Sequence, residues 1–251
     1  RGFGPRLERF ADSGFRVWVA PGTSGWNSFV GRHDNARANI LDAVEAAVGH
    51  GAEGMLNTEW GDNGHMQPPF ATLPALAYGG ATSWCREANG DLDDADLCAS
   101  IDLHLLADPA GATAEAMVTL ATVEDTLAVR AVNGAPFFYS WVGTGFDLDA
   151  GPPSLPNLGP ALDQVARAEQ LLDDARPDVG DGAQLLAETR LSAAMVRHGL
   201  HRMAADAGES VIPPDDLARD ADELRERHRR MWLARSRPGG LEDSVAKMTV
   251  P

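Results

Sequence analysis

The chain has 251 residues, 44% of them hydrophobic, which suffices for one large domain or two small ones with a sizeable core. It carries 21 Lys and Arg against 37 Asp and Glu, a formal net charge of −16, and this broad acidic excess argues against nucleic acid or an anionic membrane surface as partner. Cys85 and Cys98 are too few for a disulfide framework or a metal cluster, no apolar run approaches the roughly 20 residues of a membrane helix, and no signal sequence is visible, so the expectation is a cytoplasmic chain without cofactor.

Residues 1–12 read as the end of a helix with Leu7 and Phe10 on one face, stopped at Ser13-Gly14. Residues 15–20 are rich in aromatic and β-branched side chains and predict a strand, ended by Pro21-Gly22. A polar loop follows, and Asp34 or Asn35 can cap the next helix. There Ile40, Leu41, Val44, Ala47 and Val48 recur at helical spacing until Gly49 and Gly51 stop them. A second strand is expected over 54–58, then a second polar loop and a helix over 73–86. Strand, loop and helix thus occur twice without a hairpin turn, which is how parallel sheets are built.

After Gly90 the pattern changes. Residues 91–96 are acidic and turn-like, and helices are expected over 95–106, 113–129, 160–175, 182–207 and 215–236. Residues 133–156 mix Pro, Gly and aromatics without a period and read as a long connection. The predicted fold is α/β: the last two β/α units of a (β/α)8 TIM barrel over 1–90, then a mostly α-helical region over 91–251. Two units cannot close a barrel of eight, so most of such a barrel is expected upstream of Arg1.

Both predicted loops leave the C-terminal ends of their strands, the rim where barrel enzymes keep their chemistry. Trp26 and Trp60 each follow a strand end among glycines and polar groups, and an exposed indole suits the apolar face of a sugar ring. Glu59 and Asp62 bracket Trp60; either carboxylate can accept sugar hydroxyls or serve as a general acid or base. The competing reading for each is a packing indole or a loop-stabilising carboxylate. His65 can orient Asp62 or touch a ligand, or be structural, and Asn27, Asn57 and Gln67 are candidate hydrogen-bonders. Arg32 is expected to pair with a carboxylate. His33, Asp62 and His65 could supply a metal-dependent hydrolase, although their spacing matches no metal motif.

Three stretches carry a resemblance. Val17-Trp18-Val19-Ala20-Pro21-Gly22-Thr23-Ser24-Gly25-Trp26-Asn27 looks like the seventh barrel strand and loop of glycoside hydrolase family 20, the β-N-acetylhexosaminidases. The stretch from Gly54 to Pro69 looks like the eighth, and the one from Met231 to Ser244 resembles the end of the helical domain in its bacterial branch. Trp60-Gly61-Asp62 matches the family's Trp-spacer-carboxylate motif, with Asp where Glu is commoner. The resemblance implies that Trp60 walls an N-acetylhexosamine pocket and that Asp62 binds the distal hydroxyls. It implies that Trp26 and Asn27 face the acetamido group, where Tyr and Asp are usual. The implied reaction is substrate-assisted retaining hydrolysis of a carbohydrate substrate, with an adjacent Asp-Glu pair after strand four. The adjacent pairs of one Asp and one Glu here, Glu124-Asp125, Asp222-Glu223 and Glu242-Asp243, lie in helical context and not at a strand end, so the catalytic pair is expected upstream, with Glu59 and Asp62 as the fallback. A non-catalytic carbohydrate-binding protein is the remaining alternative.

Overall fold

A computed structural model of the chain describes residues 2–10, 13–143, 154–210 and 212–248. Among the described residues the chain is mostly helical, around one two-stranded parallel sheet. Strand β1 (Trp18–Val19) pairs with β2 (Gly54–Met55), Trp18 opposite Gly54 and Val19 opposite Met55. The ladder runs past these residues: Glu53 N donates to Val17 O, Leu56 N to Val19 O, Thr58 N to Pro21 O and Thr23 N to Thr58 O, at 2.8–2.9 Å. Pro21 has no N–H to give, and it enters the ladder only as an acceptor.

Side chains alternate along this ladder as a pleat requires. Val19 is buried with Leu7 of α1 (Gly4–Leu7) and Ala43 of the crossover helix α2 (His33–Gly49), and Met55 packs there too. The opposite face is open: Trp18 is 59% exposed and Leu56 60%. The Trp18 ring reaches across Gly54, where a Cβ would meet it at 2.9 Å. Parallel sheets are ordinarily covered on both faces; here described residues cover one.

A short 3-10 turn leads into α3 (Leu73–Trp84), and an extended Cys85 separates it from α4 (Arg86–Asn89). Asp93 caps α5 (Asp94–Ile101) by accepting from Asp96 N at 2.8 Å, and a π-helical turn follows over Asp102–Leu106. The helices that follow are α6 (Thr113–Ala121), α7 (Val123–Leu127), α8 (Pro136–Val142), α9 (Leu158–Asp174), α10 (Gly182–Asp206), α11 (Pro214–Arg235) and α12 (Leu241–Lys247).

Several expectations are corrected. The helix expected over 113–129 breaks at Thr122, whose hydroxyl donates back to Val118 O and Thr119 O, the local competition that bends helices at threonine. The connection expected over 133–156 contains α8, and the part over 144–153 lies outside the described residues. Helix α8 is buried on every side, from Phe137 through Trp141, so its sequence shows no amphipathic period. Helix α2 starts at His33 with Arg32 at its cap and no side-chain cap bond; Asp34 lies in its first turn.

Two larger cores both straddle residue 90. One joins Ile40 and Tyr78 from α2 and α3 to Leu97, Met117 and Leu185. The other joins Phe29 and Met66, one from each polar loop, to α8 and α10. Within it the Phe29 ring lies 5.2 Å from Phe138 and 6.1 Å from Trp141, centroid to centroid. The loops are therefore anchored in the helical region by apolar side chains.

Ile40 is fully buried and Leu56 is not. Ile40→Ala should lower the unfolding free energy by about 2–5 kcal/mol. Leu56→Ser should change it by no more than about 0.5 kcal/mol. Urea unfolding followed by circular dichroism checks both, and a large loss at Leu56 would mean that the open face is covered in solution.

Candidate functional site

Because β1 and β2 are parallel, the loops after them leave the same end of the sheet. Asn27 holds them together. It is buried, with a left-handed backbone (φ 52°) that asparagine tolerates better than most residues. Its Oδ1 accepts from Asn63 Nδ2 at 2.8 Å, and its Nδ2 donates to Asn133 O at 3.0 Å and to the Tyr139 hydroxyl at 3.2 Å. Its own carbonyl accepts from Ala135 N at 2.9 Å. An amide so engaged holds the loops rather than reaching for a ligand.

A second tie between the loops is Thr23 Oγ1, which donates to Glu59 Oε2, and within the second loop Gln67 Nε2 donates to Trp60 O at 2.9 Å and to Glu59 Oε1 at 3.4 Å. Gly25 makes room for this: a Cβ there would stand 2.4 Å from Glu59 Oε1. Glu59, the fallback catalytic group, is thus engaged with the first loop.

Trp60 and Asp62 are presented differently. Trp60 Nε1 donates to Thr58 Oγ1 at 3.0 Å, which satisfies its polar edge, while the side chain stays 57% exposed. Asp62 opens a short 3-10 turn (Asp62–Gly64), and its exposed carboxylate has no hydrogen bond or ion pair to any described residue. His65 takes a left-handed backbone (φ 51°) and folds back over Gly61, where a Cβ would lie 2.4 Å from its Nδ1. The His65 ring meets Trp232 of α11 edge-on at 6.5 Å. Behind it His228 Nε2 lies 2.9 Å from Ser244 Oγ, and burial pushes the His228 imidazole down to about 4. The C-terminal stretch singled out in the sequence therefore braces the second loop.

Trp26 is half-buried. Its Nε1 donates to Asn133 Oδ1 at 2.9 Å, and the Arg32 guanidinium lies 5.4 Å from its ring centroid. Arg32 departs from expectation: it is buried, but no carboxylate lies within ion-pair distance of it among the described residues. Asn57 Nδ2 points away from the rim, toward Ala75 O at 3.4 Å.

The metal-ligand alternative is not supported by placement. His33 is buried with its Nε2 2.9 Å from Asp94 Oδ1, while His65 rests on Trp232. Among the described residues no group of three or more His, Cys, Asp or Glu could hold a metal ion. No described helix is long and apolar enough to cross a membrane.

Sequence reasoning missed Tyr139, Asn133, Asn63 and Glu124. Asn133-Gly134 is a turn dipeptide and Asn63 sits inside the motif, so both gave a local signal. Glu124 gave none, because its burial depends on Arg32 and helices distant in sequence. A scan against protein-family models and a search of curated proteins both return no match to this chain.

Two outcomes follow from this geometry. Asn27→Ala should cost about 1–3 kcal/mol, because Asn63 and Tyr139 lose a buried partner; thermal unfolding measures it. Glu124 gives a pH effect. Burial pushes its carboxyl from 4.5 up to about 7, against the pull of Arg32. A proton held more tightly in the folded chain contributes stability that is fully present below pH 4.5 and is lost as pH rises through about 7. Glu124→Gln should therefore raise the thermal midpoint at pH 8 more than at pH 5, and an equal change at both would contradict the assignment.

Proposed function

We propose that this chain supplies the seventh and eighth β/α units of a barrel glycoside hydrolase resembling the β-N-acetylhexosaminidases of family 20. Its two loops form one side of a pocket for a terminal N-acetylhexosamine. The observation that carries this reading is the exposed Trp60 face near the Asp62 carboxylate, which has no partner among the described residues, on loops bonded together at one end of a parallel strand pair. The open face with Trp18 and Leu56 supports it, since that face would line the interior of a larger barrel.

In this reading the Trp60 indole walls the apolar face of the sugar and Asp62 accepts hydrogen bonds from its distal hydroxyls. Trp26 and His65 flank the pocket. Asn27 contributes by fixing the loops, because its amide is already satisfied. The chemistry is substrate-assisted: the acetamido oxygen displaces the leaving group at the anomeric carbon, and a protein acid protonates the departing oxygen. That acid and the Asp beside it belong to other units of the barrel. The adjacent pairs of one Asp and one Glu among the described residues lie on helices α7, α11 and α12.

The test is titration of the chain with N-acetylglucosamine, followed at the Trp60 indole resonance and identified by its loss in Trp60→Phe. Asp62→Ala should weaken binding by about 10- to 100-fold, the equivalent of roughly 1–3 kcal/mol for lost charged hydrogen bonds. The chain alone should not turn over an aryl N-acetyl-β-glucosaminide. No binding by folded chain would overturn the pocket, and turnover abolished by Asp62→Ala would place catalytic groups on this chain.

A further inference from the structure

A cavity lies where the first loop meets the start of α2 and the segment after α7. It measures about 360 Å³, the size of a small-ligand pocket, and Trp26, Arg32, Asn35, Asn39, Glu124 and Asn133 line it. Arg32 is its unusual feature. The residue is only 7% exposed, and its buried Nε has no acceptor among the described residues. Desolvation lowers its proton affinity despite the field of Glu124. A buried guanidinium without an acceptor is costly, and its planar fork matches a carboxylate.

The surrounding side chains narrow the choice. Asn35 Nδ2 donates to Ser24 Oγ at 2.7 Å and Asn39 Nδ2 to Gly22 O at 3.1 Å, which leaves their Oδ1 atoms as acceptors for hydroxyl groups. The Trp26 ring supplies one apolar wall. The charge around the cavity is nearly balanced: Arg32 and Arg130 stand against Glu124, Asp125 and Asp34. Arg130 is already engaged, 2.9 Å from Asp125 and 3.9 Å from Glu124. With Glu124 protonated the cavity is balanced, two positive charges against two negative, so Arg32 can neutralise one negative charge on a ligand, while a second would meet no unengaged cation among these groups.

We propose that this cavity binds a small hydroxylated carboxylate of sugar-acid size, its carboxylate anchored by the Arg32 guanidinium. The Asn35 and Asn39 carbonyls accept from its hydroxyls, and Trp26 covers its apolar face. Glu124 faces the same space and is held by burial at about 7, so it can take up a proton and donate to the bound carboxylate. Arg32, Asp34, Asp125 and Arg130 are the charged groups that bear on it. Binding then weakens about tenfold per unit of pH above 7, as expected for uptake of one proton. This inference stands on Arg32 and not on the hexosamine pocket at Trp60 and Asp62.

The experiment is calorimetric titration of the chain with D-glucuronate at pH 6, 7 and 8, alongside D-glucose and inorganic phosphate. The expected result is saturable binding of glucuronate, at least 100-fold tighter than glucose and tighter than phosphate, weakening from pH 7 to 8. Arg32→Met should abolish it while leaving the thermal midpoint unchanged or raised, because it removes a buried charge that lacks an acceptor among the described residues. Asn39→Ala, more remote from the charge, should weaken binding without unfolding the chain. Three results overturn the proposal: no binding of glucuronate by folded chain, phosphate binding as tightly as glucuronate, or a lower thermal midpoint in Arg32→Met. Asp62→Ala should leave glucuronate binding unchanged, which separates a failure here from a failure of the hexosamine pocket.

Discussion

The buried amide of Asn27 is the joint on which the geometry of both loops depends. Three segments distant in sequence converge on it: Asn63 from the second loop, Asn133 before α8, and Tyr139 within α8. Few side chains could serve. A carboxylate would meet the Asn133 carbonyl with no proton to give, and an apolar residue would remove the partner of the Asn63 amide and the Asn133 carbonyl and leave the Tyr139 hydroxyl with Val132 O. The left-handed backbone at the same position further favours asparagine. Such a fully connected polar cluster fixes one arrangement of the loops, because any other leaves buried groups unpaired.

That joint also explains how two short strands can carry a defined rim. A two-stranded sheet is marginal by itself in water. Here one face rests on α1 and α2, while the loops that follow the strands send Phe29 and Met66 into the core built by α8 and α10. The edge-on contact of His65 with Trp232, and the packing of α12 beside Gly64, close the outer side. The helical region is therefore part of what positions Trp60 and Asp62, and it is not a separate appendage.

Much of this was legible in the sequence where a local pattern and the global packing agree. The helical spacing of Ile40, Leu41 and Val44, and the long amphipathic runs of α9, α10 and α11, predict those helices to within a few residues. The two strands and their parallel pairing follow from strand, loop and helix in repeated order. Helix α8 was not legible because it is buried all round and so lacks a polar face. The role of Asn27 was misread for a related reason. A polar residue after a strand reads as a ligand contact, and only the arrival of Asn63, Asn133 and Tyr139 shows that its bonds are already made. Arg32 failed in the opposite direction: an arginine in an acidic chain reads as one half of an ion pair, yet the fold buries it beyond reach of any described carboxylate.

Asn133 connects the rim to the cavity beside Arg32. Its side-chain oxygen accepts from Trp26 Nε1, while its main-chain oxygen accepts from Asn27 Nδ2. Trp26 and Asn133 both line the cavity beside Arg32, and Asn27 is the joint of the rim that carries Trp60 and Asp62. A group entering the cavity can shift the Asn133 side chain only by competing with the indole, and can shift its backbone only by loading the Asn27 cluster. That cluster has two alternatives, fully paired or stranding polar groups, so a small displacement at Asn133 is resisted until a bond is lost. The same residue therefore fixes the Trp26 wall of the cavity through its side chain and the Asn27 joint of the rim through its backbone.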